Sequence, residues 1–131
     1  MAASPVVCIV DDDESVRESL SAWLRSVGLD ARPFASAEDF LSSGLAAVSD
    51  CAVIDVTMPG MSGTVLQERL LAMGLSIPVV FITARTEPTL HARLLERGAL
   101  VCLVKPFRED DLLDAVTKAI RVAAAIGEQS P

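Results

Sequence analysis

Three acids stand side by side at Asp11, Asp12 and Asp13, directly after the apolar run Val6 to Val10. A fourth carboxylate, Asp55, lies near the end of the run Cys51 to Val56. A hydroxyl, Thr83, follows Val79 to Ile82, and an amine, Lys105, follows Leu100 to Val104. Carboxylates brought close together repel one another, and either take up protons or recruit a cation. Hard oxygen ligands suit Mg²⁺, which takes one or two carboxylates with phosphate oxygen and keeps several waters. A lysine adds a point charge for a phosphoryl group, and a threonine adds a hydrogen bond. A carboxylate can itself be the nucleophile and form an aspartyl phosphate. Metal and lysine would offset charge as the phosphoryl group moves in line, so positioning and electrostatics supply most of the catalysis.

That chemistry needs elements that bring the four positions together. The four apolar runs lack polar alternation, which fits strands buried on both faces of a parallel sheet. Between them run helical periodicities. Val16, Leu20, Leu24 and Val27 share a face before Gly28, and Ser36 caps a short helix that ends near Gly44. Further helices are expected from about Thr64 to Met73 and from Pro88 to Arg97, each closed by a glycine. The last begins after Phe107, with acids at its start and Lys118 and Arg121 towards its end, matching the helix dipole. A weaker strand over Asp30 to Phe34 contains Pro33, which argues for a sheet edge. The pattern is βα repeated five times, an α/β fold with a five-stranded parallel sheet. In such a sheet the ligand site lies beyond the carboxyl ends of the strands, where all the polar residues fall.

The chain has 131 residues, enough for one domain with its own core. Residues 1–126 are expected to form that domain, and 127–131 a tail or the start of a linker. The net charge of −7 disfavours direct binding to nucleic acid or anionic membrane. No apolar stretch approaches the roughly 20 residues of a membrane span, and the N-terminus lacks a basic signal region. Cys8, Cys51 and Cys102 each lie in an apolar run without metal-binding spacing, as small buried hydrophobes in a reducing cytosol. His91 reads as a surface residue and Trp23 as partly packed on the core.

The set Val10-Asp11-Asp12, Ile54-Asp55 with Met58-Pro59-Gly60-Met61-Ser62-Gly63, Thr83-Ala84 and Lys105-Pro106-Phe107 resembles the receiver domain of two-component response regulators, CheY-like in fold. The spacing agrees too, with 28 residues from Asp55 to Thr83 and 22 from Thr83 to Lys105. The likeness is greatest to receivers joined to helix-turn-helix transcription domains. It implies that Asp55 accepts a phosphoryl group from a sensor histidine kinase, and that the domain controls a downstream effector domain or protein. It implies Mg²⁺ or Mn²⁺ held by Asp12 directly, Asp11 largely through water, Asp55, and the backbone carbonyl of Thr57. Thr83, Ala84 and Lys105 would surround the phosphoryl group, with Thr83 as the switch hydroxyl. Lys105-Pro106 is expected to be a cis peptide, and Thr57 and Arg85 to modulate dephosphorylation. Arg85 equally suits a solvated surface. Asp13 suits the cap of the first helix better than a metal. The resemblance further implies a cytoplasmic protein that catalyses only its own phosphorylation and dephosphorylation, and it allows a homodimer on phosphorylation.

Cys102 departs from the pattern, standing where the family usually carries a Tyr or Phe that moves with the threonine. Output would then rest on backbone shifts near Thr83 and the helix that follows. Two other classes fit less well. An aspartyl-phosphate phosphohydrolase needs a second Asp two residues past the nucleophile, where this chain has Thr57. A flavodoxin-like binder needs a Ser/Thr/Gly-rich loop after the first strand, where this chain has three acids. A stand-alone receiver, acting on a partner in trans or relaying phosphoryl groups, is the alternative within the family.

Overall fold

Residues 4–129 are described by the computed structural model, the last three by backbone alone. The strands are β1 (Val6–Val10), β2 (Asp30–Phe34), β3 (Cys51–Asp55), β4 (Val79–Thr83) and β5 (Val101–Val104). The helices are α1 (Glu14–Ser26), α2 (Ala37–Ser43), α3 (Gly63–Ala72), α4 (Pro88–Glu96) and α5 (Glu109–Gln129). All strand pairs are parallel, in the order β2-β1-β3-β4-β5. β1, β3 and β4 each have a strand on either side and helices over both faces. Val7 and Ile9 point to one side and Cys8 and Val10 to the other, the alternation of a pleated strand. Apolar side chains are needed on both faces, hence the unbroken runs.

On one face, Phe40, Leu66, Leu70 and Leu94 bring α2, α3 and α4 onto Ile54 and Phe81. On the other, Leu24 of α1 and Leu112, Val116 and Ala119 of α5 cover Val53, Val80 and Ile82. Each fully buried Leu, Ile or Phe contributes about 1.5–3 kcal/mol of transfer free energy. These contacts, rather than helix propensity, hold the layers. Side chains also mark where helices begin: the Asp13 carboxylate accepts from the N–H groups of Ser15 and Val16, Ser36 accepts from Asp39, and Ser62 accepts from Val65.

Pro33 does lie on an edge strand, where its missing N–H costs no ladder bond. Leu100 to Val104 differs from expectation. β5 is the other edge of the sheet and is half-buried, because one rim has no neighbouring strand. Cys102 is accordingly half-buried, not enclosed. A short 3₁₀ turn, Leu45–Val48, follows α2 and lacked a periodic signal. α5 continues through Gly127 to Gln129, into the segment expected as a tail or linker, while Ser130 and Pro131 lie outside the described residues. With the helix this long, Lys118 and Arg121 fall short of its last turn, and only the acidic start complements the dipole.

Candidate functional site

Parallel pairing puts the carboxyl ends of the central strands on one edge of the sheet. Val10 is in register with Ile54, Asp55 with Ile82, and Thr83 with Val104. The residues just past or at these ends are Asp11, Asp55, Thr83 and Lys105. The lysine amide donates to the Thr83 carbonyl at 2.7 Å, tying the ends of β4 and β5 together. The peptide bond between Lys105 and Pro106 is cis.

Asp55 is buried, and both of its oxygens are engaged. Oδ1 accepts the Thr57 N–H at 3.1 Å, and Oδ2 accepts from Lys105 Nζ at 3.1 Å. Lys105 Nζ also donates to Asp11 Oδ2 at 3.0 Å. Asp11 is fully buried; its Oδ1 accepts the Asp13 N–H at 2.9 Å, and its carbonyl accepts from Arg17 Nη1 at 2.9 Å. Asp12 is exposed, yet one oxygen from each of Asp11, Asp12 and Asp55 lies within 4.8 Å of the others. These three carboxylates, two of them bonded to Lys105, form a set of hard oxygen donors that suits a divalent cation. The Asp13 side chain is instead spent on capping α1, as expected for it.

The electrostatics follow from this packing. Burial pushes the Asp55 carboxyl above the ordinary carboxylate range. The Thr57 N–H pulls it back, the Asp11 charge pushes it further, and Lys105 opposes both. Burial works against the Lys105 ammonium, but its bonds to Asp11 and Asp55 prevail and raise it above the usual lysine range. The lysine is thereby held charged between two acids.

Thr83 is fully buried, and its Oγ1 accepts the Arg85 N–H at 3.0 Å. Ala84 is exposed beside it. The Arg85 side chain turns to Glu87 at 3.3 Å, in an exposed pair that carries little stability. His91 Nε2 contacts the Arg85 carbonyl at 2.8 Å, a local tie at the start of α4. Cys102 is in register with Phe81 and packs against the Phe81–Leu94 cluster, and partial burial raises its thiol.

Two positioning roles were not legible in the sequence. Arg17 holds the Asp11 carbonyl, and nothing in its spacing announces that. Gly63 has an ordinary backbone conformation, so its glycine is not required by φ. A Cβ there would collide with the Asp55 carbonyl oxygen and come within 3.0 Å of Ile54 Cγ2. The Gly63 N–H also bonds the Val56 carbonyl at 2.9 Å. Glycine is what lets α3 press directly on the strand end that carries Asp55.

Residues 7–117 match the model of the response regulator receiver domain. The chain belongs to that family. The receiver is 42% identical over 114 residues to the transcriptional regulatory protein TdiR of Thauera aromatica, covering 87% of this chain and 50% of that one. It is 39% identical over 126 residues to the response regulator protein TmoT of Ectopseudomonas mendocina, covering 96% and 57% respectively. The chain thus spans about half the length of these curated relatives. A solved structure of the response regulator StyR superposes with a TM-score of 0.89 at 43% identity, over 96% of this chain and 64% of that one. The structure titled FixJ-N gives 0.82 at 32% identity, over 92% and 96%. The receiver has CheY-like topology and is related to transcription regulators. Among the described residues, no helix is long and apolar enough to cross a membrane.

Proposed function

We propose that this receiver takes a phosphoryl group from a sensor histidine kinase onto Asp55 and passes the resulting change to a transcription-regulating effector. The observation that carries the reading is the Asp55 carboxylate, held by Thr57 N–H on one oxygen and Lys105 on the other, beside two further acids. An Asp55 oxygen attacks phosphorus as the bond to the donor's imidazole nitrogen breaks; that nitrogen keeps the electron pair, and the imidazole leaves neutral with the proton already on its other ring nitrogen. Asp11, Asp12, Asp55 and the Thr57 carbonyl would hold Mg²⁺ or Mn²⁺, which when bound offsets the negative charge of the phosphoryl oxygens.

Lys105 is already charged and within reach of Asp55, so it needs little movement to pair with a phosphoryl oxygen. The Thr83 hydroxyl accepts one bond now and keeps its own proton to donate. Thr83 and Ala84 would then close on the phosphoryl group, shifting the backbone that leads into α4. With Cys102 in place of a ring, that backbone shift is the route of output. Thr57 and Arg85 flank the acceptor and would tune access of water. A groove of about 530 Å³ lined by Val16, Leu20, Lys105, Pro106 and Phe107 offers a docking face for the kinase domain. The receiver would occupy residues 1–126, act in the cytoplasm without binding nucleic acid itself, catalyse only its own modification, and dimerise once phosphorylated.

The test is acetyl phosphate with Mg²⁺, read by intact-protein mass spectrometry. A gain of about 80 Da that EDTA prevents is expected for one phosphoryl group. No adduct on the folded wild-type chain with Mg²⁺ present would overturn the reading.

A further inference from the structure

On the side of the acceptor opposite Lys105's groove, α3 and α4 part to leave a cleft of about 370 Å³. Its floor is apolar, built from Val56, Met58 and Leu94, all buried. Its rim is cationic, with Arg85, Arg93 and Arg97, and Ser62 and Thr64 supply hydroxyls on the α3 side. Three guanidinium groups around one cleft are unusual in a chain of net charge −7 that has only 11 Lys and Arg in all.

These arginines are poorly compensated. Arg85 and Arg97 make only exposed pairs, with Glu87 at 3.3 Å and Glu68 at 3.2 Å, which a better anion could replace. Arg93 has no hydrogen-bond or ion-pair partner among the described residues. It lies four residues before Arg97, so two like charges share one helix face and repel. Their placement near the α4 carboxyl end suits the helix dipole, but Arg85 precedes the helix and joins the same rim. The wall is also held in place: Gln67 Nε2 of α3 donates to the Arg97 carbonyl at 3.3 Å. The volume falls at the lower end of small-molecule sites, and forked guanidinium donors over an apolar floor match a phosphate head on an apolar body.

We propose that the α3–α4 cleft binds a small organic phosphate, its head on Arg93 and Arg97 and its body over Met58 and Leu94. Thr57 lines the same cleft and donates to Asp55, so an occupant would touch the residue that orients the acceptor.

The experiment titrates phenyl phosphate into the ¹⁵N-labelled chain in EDTA, following arginine Nε–H and backbone signals by NMR. Saturable shifts at Arg93 and Arg97 are expected, with affinity about tenfold above that of inorganic phosphate, which lacks the apolar body. Arg93→Gln should weaken binding about tenfold without lowering the melting temperature. Asp55→Asn should bind as the wild type does, so the result stands whether or not Asp55 accepts a phosphoryl group. Shifts confined to Asp11, Asp12 and Lys105, equal affinity for inorganic phosphate, undiminished binding by Arg93→Gln, or no saturable shift would each overturn the proposal.

Discussion

Lys105 Nζ bridges Asp55 and Asp11, at 3.1 Å from one carboxylate and 3.0 Å from the other. Residues 50 and 94 positions away in sequence thus form one charge cluster, held at the ends of three strands. The two acids differ in surroundings: Asp11 is sealed in, and Asp55 retains a small opening.

The raised Asp55 carboxyl makes stability depend on pH. A folded carboxyl with a raised pKa binds more protons than the unfolded chain does, so stability declines as pH rises through that window. Lys105 is raised as well, and its contribution is lost only above the usual lysine range, outside this window. Thermal melts of the metal-free chain should therefore fall between the ordinary carboxylate value and the raised one. Asp55→Asn should flatten that slope and be more stable than the wild type at neutral pH. An Asn variant with the wild-type slope would contradict the assignment of the slope to Asp55.

Lys105→Ala removes the one ammonium between the acids. In EDTA the variant should lose about 2 kcal/mol, a figure reduced from a fully buried pair because water reaches the lysine. It should also bind Mg²⁺ more tightly, since a competing cation is gone. Calorimetric titration with Mg²⁺ checks this, and weaker metal binding would show that the lysine supports rather than opposes the cation.

Asp13→Ala separates capping from metal binding. Loss of the bonds to Ser15 and Val16 should cost about 1 kcal/mol. The same Mg²⁺ titration should be unchanged. A large drop in affinity with little loss of stability would reverse the two roles.

Gly63→Ala tests the close approach of α3 to Asp55. The added Cβ must push the helix or the strand end aside, at about 1–3 kcal/mol for an overpacked contact. The rate of phosphorylation by acetyl phosphate should fall well beyond what the unfolded fraction explains. Gly74→Ala, where a Cβ meets open space, serves as the control, with stability altered but rate unchanged. A Gly63→Ala chain that phosphorylates at the wild-type rate would remove Gly63 from the positioning set.

Much of this was legible in the residues because burial and periodicity act locally. Unbroken apolar runs located β1, β3, β4 and β5, and Pro33 placed β2 at an edge. The polar residues that follow the central runs lie together at one edge of the sheet. What stayed hidden depends on distant packing. Nothing local distinguishes β5, at a sheet edge, from β4, which is covered on both sides. Asp11 and Asp12 are adjacent and chemically alike, yet the fold buries one and exposes the other. The role of Gly63 lies in a clash with residue 55, and that of Arg17 in a carbonyl six residues back.

Asp55, and no other acid in the cluster, is proposed to become the acyl phosphate. Acetyl phosphate and Mg²⁺ followed by borohydride reduction converts an aspartyl phosphate to homoserine, which peptide mass spectrometry can locate. Homoserine is expected at position 55 alone, with none anywhere in Asp55→Asn. Homoserine at 11 or 12 in the wild-type chain, or an unreduced Asp55 in a chain that carries the phosphoryl mass, would contradict it.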